Sequence, residues 1–352
     1  MREELKISSK STIKSALKTM AKAGEKCLIV VEDDNSTLLG TLSDGDLRKF
    51  ILKGEKLTES IDGMYNPEPT FFVREKYTLN DAKKIFLDQK FDLIPIVDSD
   101  RKVVDALIWE NVFKDGEQKQ PQRLDVPVVI MAGGKGTRLE PFTKVLPKSL
   151  VPVNEKPIIE HIIKSFTILG CIDFFLSVNY KGRILKAYFE ELQPDYSVSF
   201  IDENEPLGTA GSLRFLYGRF DRSFFVTNCD IIIEADYISL YEFHKKEKND
   251  ITLVASAKEY IIPYGTCELD NDGCLSHINE KPQYDFLINT GLYILNPDIL
   301  ELIPKEKFYH ITHLIEDAKN IGKKVGVFPI DEDSWLDVGE WSEYKKAIES
   351  LK

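Results

Sequence analysis

Two patterns of apolar spacing divide the chain. From Val126 onward, short apolar runs (Val126 to Met131, Phe174 to Val178, Val198 to Ile201, Phe224 to Val226, Ile251 to Ala255) alternate with stretches of helical period. In Pro157 to Leu169, for example, Ile158, Ile159, Ile162, Ile163, Phe166 and Leu169 fall on one helix face. Near-continuous apolar strands separated by helices predict a mainly parallel sheet with helices on both sides. The first third is built differently. TIKSALKTM and CLIVVEDDN, from Thr12 to Asn35, recur imperfectly as TLNDAKKIF and LIPIVDSD, from Thr78 to Asp100. Each copy predicts helix, strand, turn, strand, helix, and two such units can pair face to face. Between the two regions, Asp115 to Asp125 is polar, carries a proline and shows no apolar period, so a linker is expected there, with 119–125 as its core.

The chain has 352 residues, more than one ordinary domain requires, and its 43% hydrophobic and 30% charged residues are those of a folded chain. A formal charge of -12 argues against nucleic-acid binding, which rests on clustered Lys and Arg. The five cysteines (Cys27, Cys171, Cys229, Cys267, Cys274) are odd in number and lack metal-site spacing, which fits reduced thiols in a cytoplasmic protein. Neither a signal peptide nor a membrane span is expected.

The densest chemistry is MAGGKGTRLEPFTKVLPKSLVPV, Met131 to Val153, which begins where the first strand of the predicted sheet ends. Ligands of open α/β sheets bind at that edge. Gly133, Gly134 and Gly136 let the backbone approach a ligand and turn N–H groups toward phosphates, while Arg138 and Lys148 supply fixed positive charge. The spacing is neither the Walker pattern nor the dinucleotide fingerprint.

This segment resembles the signature of the sugar-phosphate nucleotidylyltransferases, the pyrophosphorylases that make nucleotide sugars. Further motifs of that family follow in order: EPLGTAGSL at 205–213, TNCD at 227–230, NEKP at 279–282, NTGLY at 289–293 and WLDVGEW at 335–341. The resemblance implies a Rossmann-like α/β domain over 126–352, with a mixed, mainly parallel sheet of the nucleotide-diphospho-sugar transferase type. It implies that Arg138 and Lys148 are catalytic, and that Ala132, Gly133, Gly134, Gly136, Thr137, Glu203, Gly208 and Thr209 bind the nucleotide. Gly265, Glu280, Lys281, Asn289 and Gly291 would meet the sugar phosphate, and Asp230 and Asp337 would hold Mg²⁺. Cys229 stands where many relatives carry glycine. In the implied reaction a sugar 1-phosphate oxygen attacks the α-phosphorus of a nucleoside triphosphate and pyrophosphate leaves in line; the phosphate is already anionic at neutral pH, so no general base is required.

The repeat resembles a tandem CBS (Bateman) module over 1–118, with copies at about 1–60 and 61–118. GTLSDGDLR at 40–48 lies close to that family's motif, which implies that Ser43 and Asp46 face an adenine nucleotide effector. The second copy departs from the motif, with Asp105 at the glycine position and Trp109 to Asn111 where SDGD would stand. CBS pairs commonly stack between protomers, which implies a homodimer or higher homo-oligomer. The combination is most similar to the guanylyltransferases acting on glucosamine 1-phosphate in legionaminic acid biosynthesis, with a UTP- or dTTP-dependent enzyme as the alternative. A silent nucleotide-sensing regulator is the reading from another class; the presence of Arg138, Lys148, Asp230 and Asp337 speaks against it. His310 and His313 predict a helix start rather than a metal site, and 340–352 predicts a solvated helix.

Overall fold

The structure, a computed structural model, describes residues 3–34, 36–89, 91–108, 112–113 and 123–350. The chain divides into two compact units. One comprises Met1–Gln120, Ala257–Leu287 and Asp331–Asp333, the other Pro121–Ser256, Ile288–Ile330 and Ser334–Lys352.

In the second unit the apolar runs become the sheet β1 (Val128–Met131), β2 (Asp173–Val178), β3 (Ser197–Asp202), β4 (Phe224–Asn228), β5 (Ile251–Ile261), β6 (Gln283–Leu295) and β7 (Val325–Asp331), in the spatial order β3-β2-β1-β4-β6-β5-β7. The first four pair in parallel, whereas β6 runs antiparallel to β4. The mixed, mainly parallel sheet expected is therefore present. Alternation within each strand fills both faces. Val128, Ile130, Phe225, Leu292 and Ile294 enter one core, and Val129, Phe224, Val226, Tyr293 and Leu295 enter the other. The helix Ile158–Thr167 covers the first face with Ile158, Ile159, Ile162, Ile163 and Phe166, all nearly inaccessible to water. Burial on this scale is worth about 1.5–3 kcal/mol per side chain.

The sequence-predicted solvated terminal helix requires correction. Trp341–Ser350 is a helix, but Tyr344 and Ala347 are buried in the first core and the Tyr344 hydroxyl donates to the Pro152 carbonyl at 2.6 Å. Its charged residues mask an apolar face.

The repeat of the first unit is visible in its backbone. The strands Lys6–Ser8, Cys27–Val31 and Leu38–Ser43 form one sheet, and Phe72–Val73, Leu93–Val97 and Val103–Ile108 form another with the same pairing directions. A register shift recurs at Val30/Val31 and at Ile96/Val97. Ile29, Val31 and Leu38 of the first copy share a core with Leu93, Val97 and Ala106 of the second. Trp109 to Asn111 and most of the expected linker lie outside the described residues. Ala257, at the start of the arm Ala257–Leu287, is buried in the core of the first copy. Glu259 forms an ion pair with Lys14 of the helix Ile13–Ala23, and Lys18 reaches Asp333 at 3.7 Å. No helix among the described residues is long and apolar enough to cross a membrane.

Candidate active site

Register decides where the site forms. Met131 at the end of β1 pairs with Ser177 on one side and Asn228 on the other, so three strand ends stand in one row. The chain winds outward from β1 to β3, then returns to place β4 against the other edge of β1, which leaves a crevice at the carboxyl ends. A cleft of about 490 Å³ opens there, lined by Met131, the loop Gly133–Arg138, Lys148, Glu203, Pro206, Gly208, Thr209, Asn228, Cys229, Asp230 and Phe308.

The glycine loop is shaped by its neighbours. Gly136 has a φ of 66°, and a Cβ there would lie 2.9 Å from Cβ of Lys148 and from Cγ2 of Thr143. Only glycine fits that conformation beside the Lys148 stem. Gly133 sits close to Glu203, whose Oε1 would lie 3.0 Å from an added Cβ, while nothing approaches Gly134 within 4 Å. The Ala132 N–H is spent on the Ser177 carbonyl at 2.8 Å, and Thr137 begins a short 3-10 turn, Thr137–Leu139, that carries Arg138.

Asp230 and Asp337 are 107 positions apart in sequence, yet a two-stranded ladder joins them. Ile231–Ile233 pairs antiparallel with Trp335–Asp337, Ile231 lies opposite Asp337, and the Val338 N–H donates to the Asp230 carbonyl at 2.9 Å. The two carboxylates and Lys148 converge over Gly339: a Cβ added there would lie 2.6 Å from Asp230 Oδ2, 2.9 Å from Asp337 Oδ1 and 2.9 Å from Lys148 Nζ. Lys148 forms an ion pair with Asp230. Burial, and secondarily the charge of Asp230, push the Asp337 carboxyl above its ordinary range. At the cleft rim Arg138 Nη1 donates to Glu340 Oε1 at 2.8 Å, a contact that raises the guanidinium above its usual value. The Cys229 thiol is buried and pushed up to about 12, which leaves it inert.

Glu203 is buried. Its carboxylate accepts from the Ser177 hydroxyl and, through Oε2, from the Leu207 N–H at 2.9 Å. Gly208 has a φ of 79° and an added Cβ would lie 2.7 Å from the Tyr309 carbonyl oxygen. Thr209 Oγ1 accepts from the Ile311 N–H at 3.0 Å.

The residues expected at the sugar phosphate divide between the units. In the first, Gly265 lies against Glu280, whose Oε2 would be 2.9 Å from an added Cβ, and Lys281 has a φ of 47°. In the second, the Asn289 side chain donates to the Tyr293 hydroxyl at 2.7 Å and accepts from the Gly291 N–H at 3.1 Å. Ser43 and Asp46, in the first unit, are engaged with each other: the Asp46 N–H donates to Ser43 Oγ at 3.2 Å and the Ser43 N–H to Asp46 Oδ2 at 3.2 Å, capping the helix Asp44–Leu52. His310 and His313 open the helix Ile311–Asn320, with the His310 N–H donating to His313 Nδ1 at 3.3 Å. Lys135, Asn228 and Phe308 line the cleft and were not anticipated; Lys135 adds a third cation to its walls.

A nucleotidyl transferase model matches residues 127–352, and a CBS domain model matches residues 1–53. The chain belongs to the nucleotidyl transferase family. It is 34% identical over 223 residues to a mannose-1-phosphate guanyltransferase of Yarrowia lipolytica, covering 60% of each chain, and 38% identical over 185 residues to one from Aspergillus fumigatus, covering 50% of each. The chain thus spans at most about 60% of the length of these curated relatives. Among solved structures, HddC from Yersinia pseudotuberculosis complexed with GMP-PN aligns with a TM-score of 0.51 and 28% identity, over 64% of this chain and all of that one. A putative glucose-1-phosphate thymidylyltransferase from Bacillus anthracis aligns with a TM-score of 0.51 over 64% of this chain and 94% of that one; at 21% identity it speaks for the fold alone.

Proposed function

We propose that the protein is a sugar-1-phosphate guanylyltransferase, which joins GMP from GTP to a hexose or hexosamine 1-phosphate and releases pyrophosphate. The observation that carries this reading is the convergence of Lys148, Asp230 and Asp337 over Gly339, beside a glycine loop with cationic flanks. Such a site aligns two anions and offsets their repulsion. The amides of the loop would position the triphosphate, and Lys148, Arg138 and Lys135 would offset charge on its oxygens. A base is not needed, because the attacking phosphate is already ionised.

Asp230 and Asp337 fit Mg²⁺. Two oxygen donors meet above a residue without a side chain, and substrate phosphates and water complete such a coordination shell. When bound, Mg²⁺ would supply charge neutralisation at the phosphate oxygens.

Glu203 supports guanine over uracil or thymine. Its carboxylate offers acceptors only, which complements the adjacent N1–H and N2–H₂ donors of guanine and repels the carbonyl oxygens beside N3–H of a pyrimidine. The relatives are named for mannose 1-phosphate, whereas the CBS combination resembles enzymes of glucosamine 1-phosphate, so these two sugars are the ones to compare. The front module would take an adenine nucleotide as effector, and the protein would act in the cytoplasm as a homodimer.

Pyrophosphate release measured with each of four nucleoside triphosphates and both sugar 1-phosphates, with Mg²⁺ and with chelator, tests the proposal. The expected result is turnover with GTP and Mg²⁺, abolished in folded Lys148→Ala and Asp230→Ala. Turnover with UTP or dTTP in preference to GTP would overturn the base assignment. No turnover with any pair would favour a binding platform.

A further inference from the structure

We propose that Phe308 is the stacking platform on which the base of the bound nucleotide lies, so that Glu203 reads the base edge while the Phe308 ring takes its face. This rests on the guanylyltransferase reading of the cleft. Phe308 lines the cleft together with Glu203, Pro206 and Gly208, yet the residue is 59% exposed. It lies in a polar stretch, Lys305–Lys307 before it and His310 after it, where nothing in the surrounding sequence calls for a large apolar ring.

The backbone around it is pinned. The Tyr309 N–H donates to the Leu207 carbonyl at 2.9 Å, the Tyr309 carbonyl accepts from Ala210 and Gly211 at 3.0 and 3.1 Å, and the Ile311 N–H donates to Thr209 Oγ1 at 3.0 Å. Tyr309 turns inward, buried in the second core with its hydroxyl bonded to Asp317, so its neighbour Phe308 turns outward into the cleft. Leu207 links the two base-facing groups: its N–H donates to Glu203 and its carbonyl accepts from Tyr309. The carboxylate and the backbone that carries the ring are therefore both tied to one residue. Within the protein the ring makes an edge contact with His310, with centroids 4.7 Å apart, and the residue is otherwise largely open on the cleft wall. A water-exposed aromatic on a pinned backbone gains from a flat partner at little ordering cost, since it has only two side-chain torsions to fix. A purine such as guanine covers more of the ring than a pyrimidine does.

The test uses the full-length protein. GTP affinity is measured by titration calorimetry, and stacking by quenching of the fluorescence of thienoguanosine triphosphate, which keeps the N1–H and N2–H₂ donors, in wild type and in Phe308→Ala, Phe308→Leu and Phe308→Trp. Base–aromatic stacking predicts that Phe308→Ala weakens GTP binding about 5- to 150-fold and abolishes the quench. Phe308→Trp should restore both, and Phe308→Leu should behave like the alanine variant. Because the ring is exposed, Tm should not move in any of them, and kcat at saturating GTP should be retained while KM rises. Unchanged GTP affinity and quench in Phe308→Ala overturn the proposal while leaving the transferase reading intact. Wild-type binding with quench but no guanylyl transfer sustains the stacking role and sinks the transferase reading. Absence of GTP binding in wild type overturns both.

Discussion

At Gly339 the absence of a side chain has a functional consequence that differs from the usual role of glycine. Its backbone is not in the left-handed region, so alanine meets no conformational penalty there. The atoms an alanine would strike are the ends of Asp230, Asp337 and Lys148, which can swing aside at little cost to the fold. Gly339→Ala should therefore keep its Tm within a few degrees of wild type and lose at least about tenfold in kcat, since displacements of about 1 Å at a reacting centre cost up to 10²-fold. Thermal unfolding and steady-state kinetics on one preparation check both halves; a variant with full activity would show that the three side chains do not need their present positions. At the same scale the limits of sequence reading are physical. Lys148, Asp230 and the glycine loop stand in ordered motifs whose spacing is unusual enough to notice. Lys135 sits inside that glycine loop and was overlooked among its glycines, whereas Phe308 belongs to none of these motifs and only folding brings it to the cleft wall.

Among the elements, the helix Tyr237–Lys246 is locked to the sheet by His244. Its Nε2 is 3.0 Å from Asn296 Oδ1 and its Nδ1 is 2.9 Å from Thr252 Oγ1. The Asn296 oxygen accepts, which gives a neutral ring with its proton on Nε2. Burial holds the imidazole below its ordinary value, with the Asn296 contact and Asp250 opposing and Lys245 assisting. Below about pH 6.5 the unfolded chain binds a proton that the folded chain resists, so stability falls as pH drops through that value toward the folded value. Tm measured from pH 7.5 to 5.5 should decline more steeply in wild type than in His244→Gln; parallel curves would remove His244 from the account. The elements themselves were legible where burial imposes a period, as in the helix Ile158–Thr167 and in β1 to β4. β5 continues to Ile261 although its apolar run stops at Ala255, because strand pairing is a backbone property that Lys258 and Glu259 do not interrupt. The direction of β6 was not legible either: an apolar run reads the same in both senses. The terminal helix was misjudged because Glu343, Lys345, Lys346 and Glu349 outnumber the Tyr344, Ala347 and Ile348 that anchor it.

Across the whole molecule, contacts between distant parts of the sequence weigh differently according to their exposure. Lys14 and Glu259, 245 positions apart, form an ion pair with side chains 25% and 16% exposed, while the Lys10–Asp33 pair of the same unit lies in solvent. Removing one partner of a half-buried pair strands the other charge, whereas exposed pairs contribute little. Lys14→Met should lower stability by about 2 kcal/mol, with recovery in the Lys14→Met/Glu259→Met double variant, and Lys10→Met should leave the unfolding curve where it is. Equal effects of the two single variants would mean that the Lys14 pair adds nothing beyond a surface contact.

The first unit is assembled from three separated stretches, the last of them at Asp331–Asp333. During translation its opening segment leaves the ribosome long before the pieces that complete it exist. Its contacts with Ala257, Glu259 and Asp333 therefore form only after the parallel strands β1 to β4 have been synthesised.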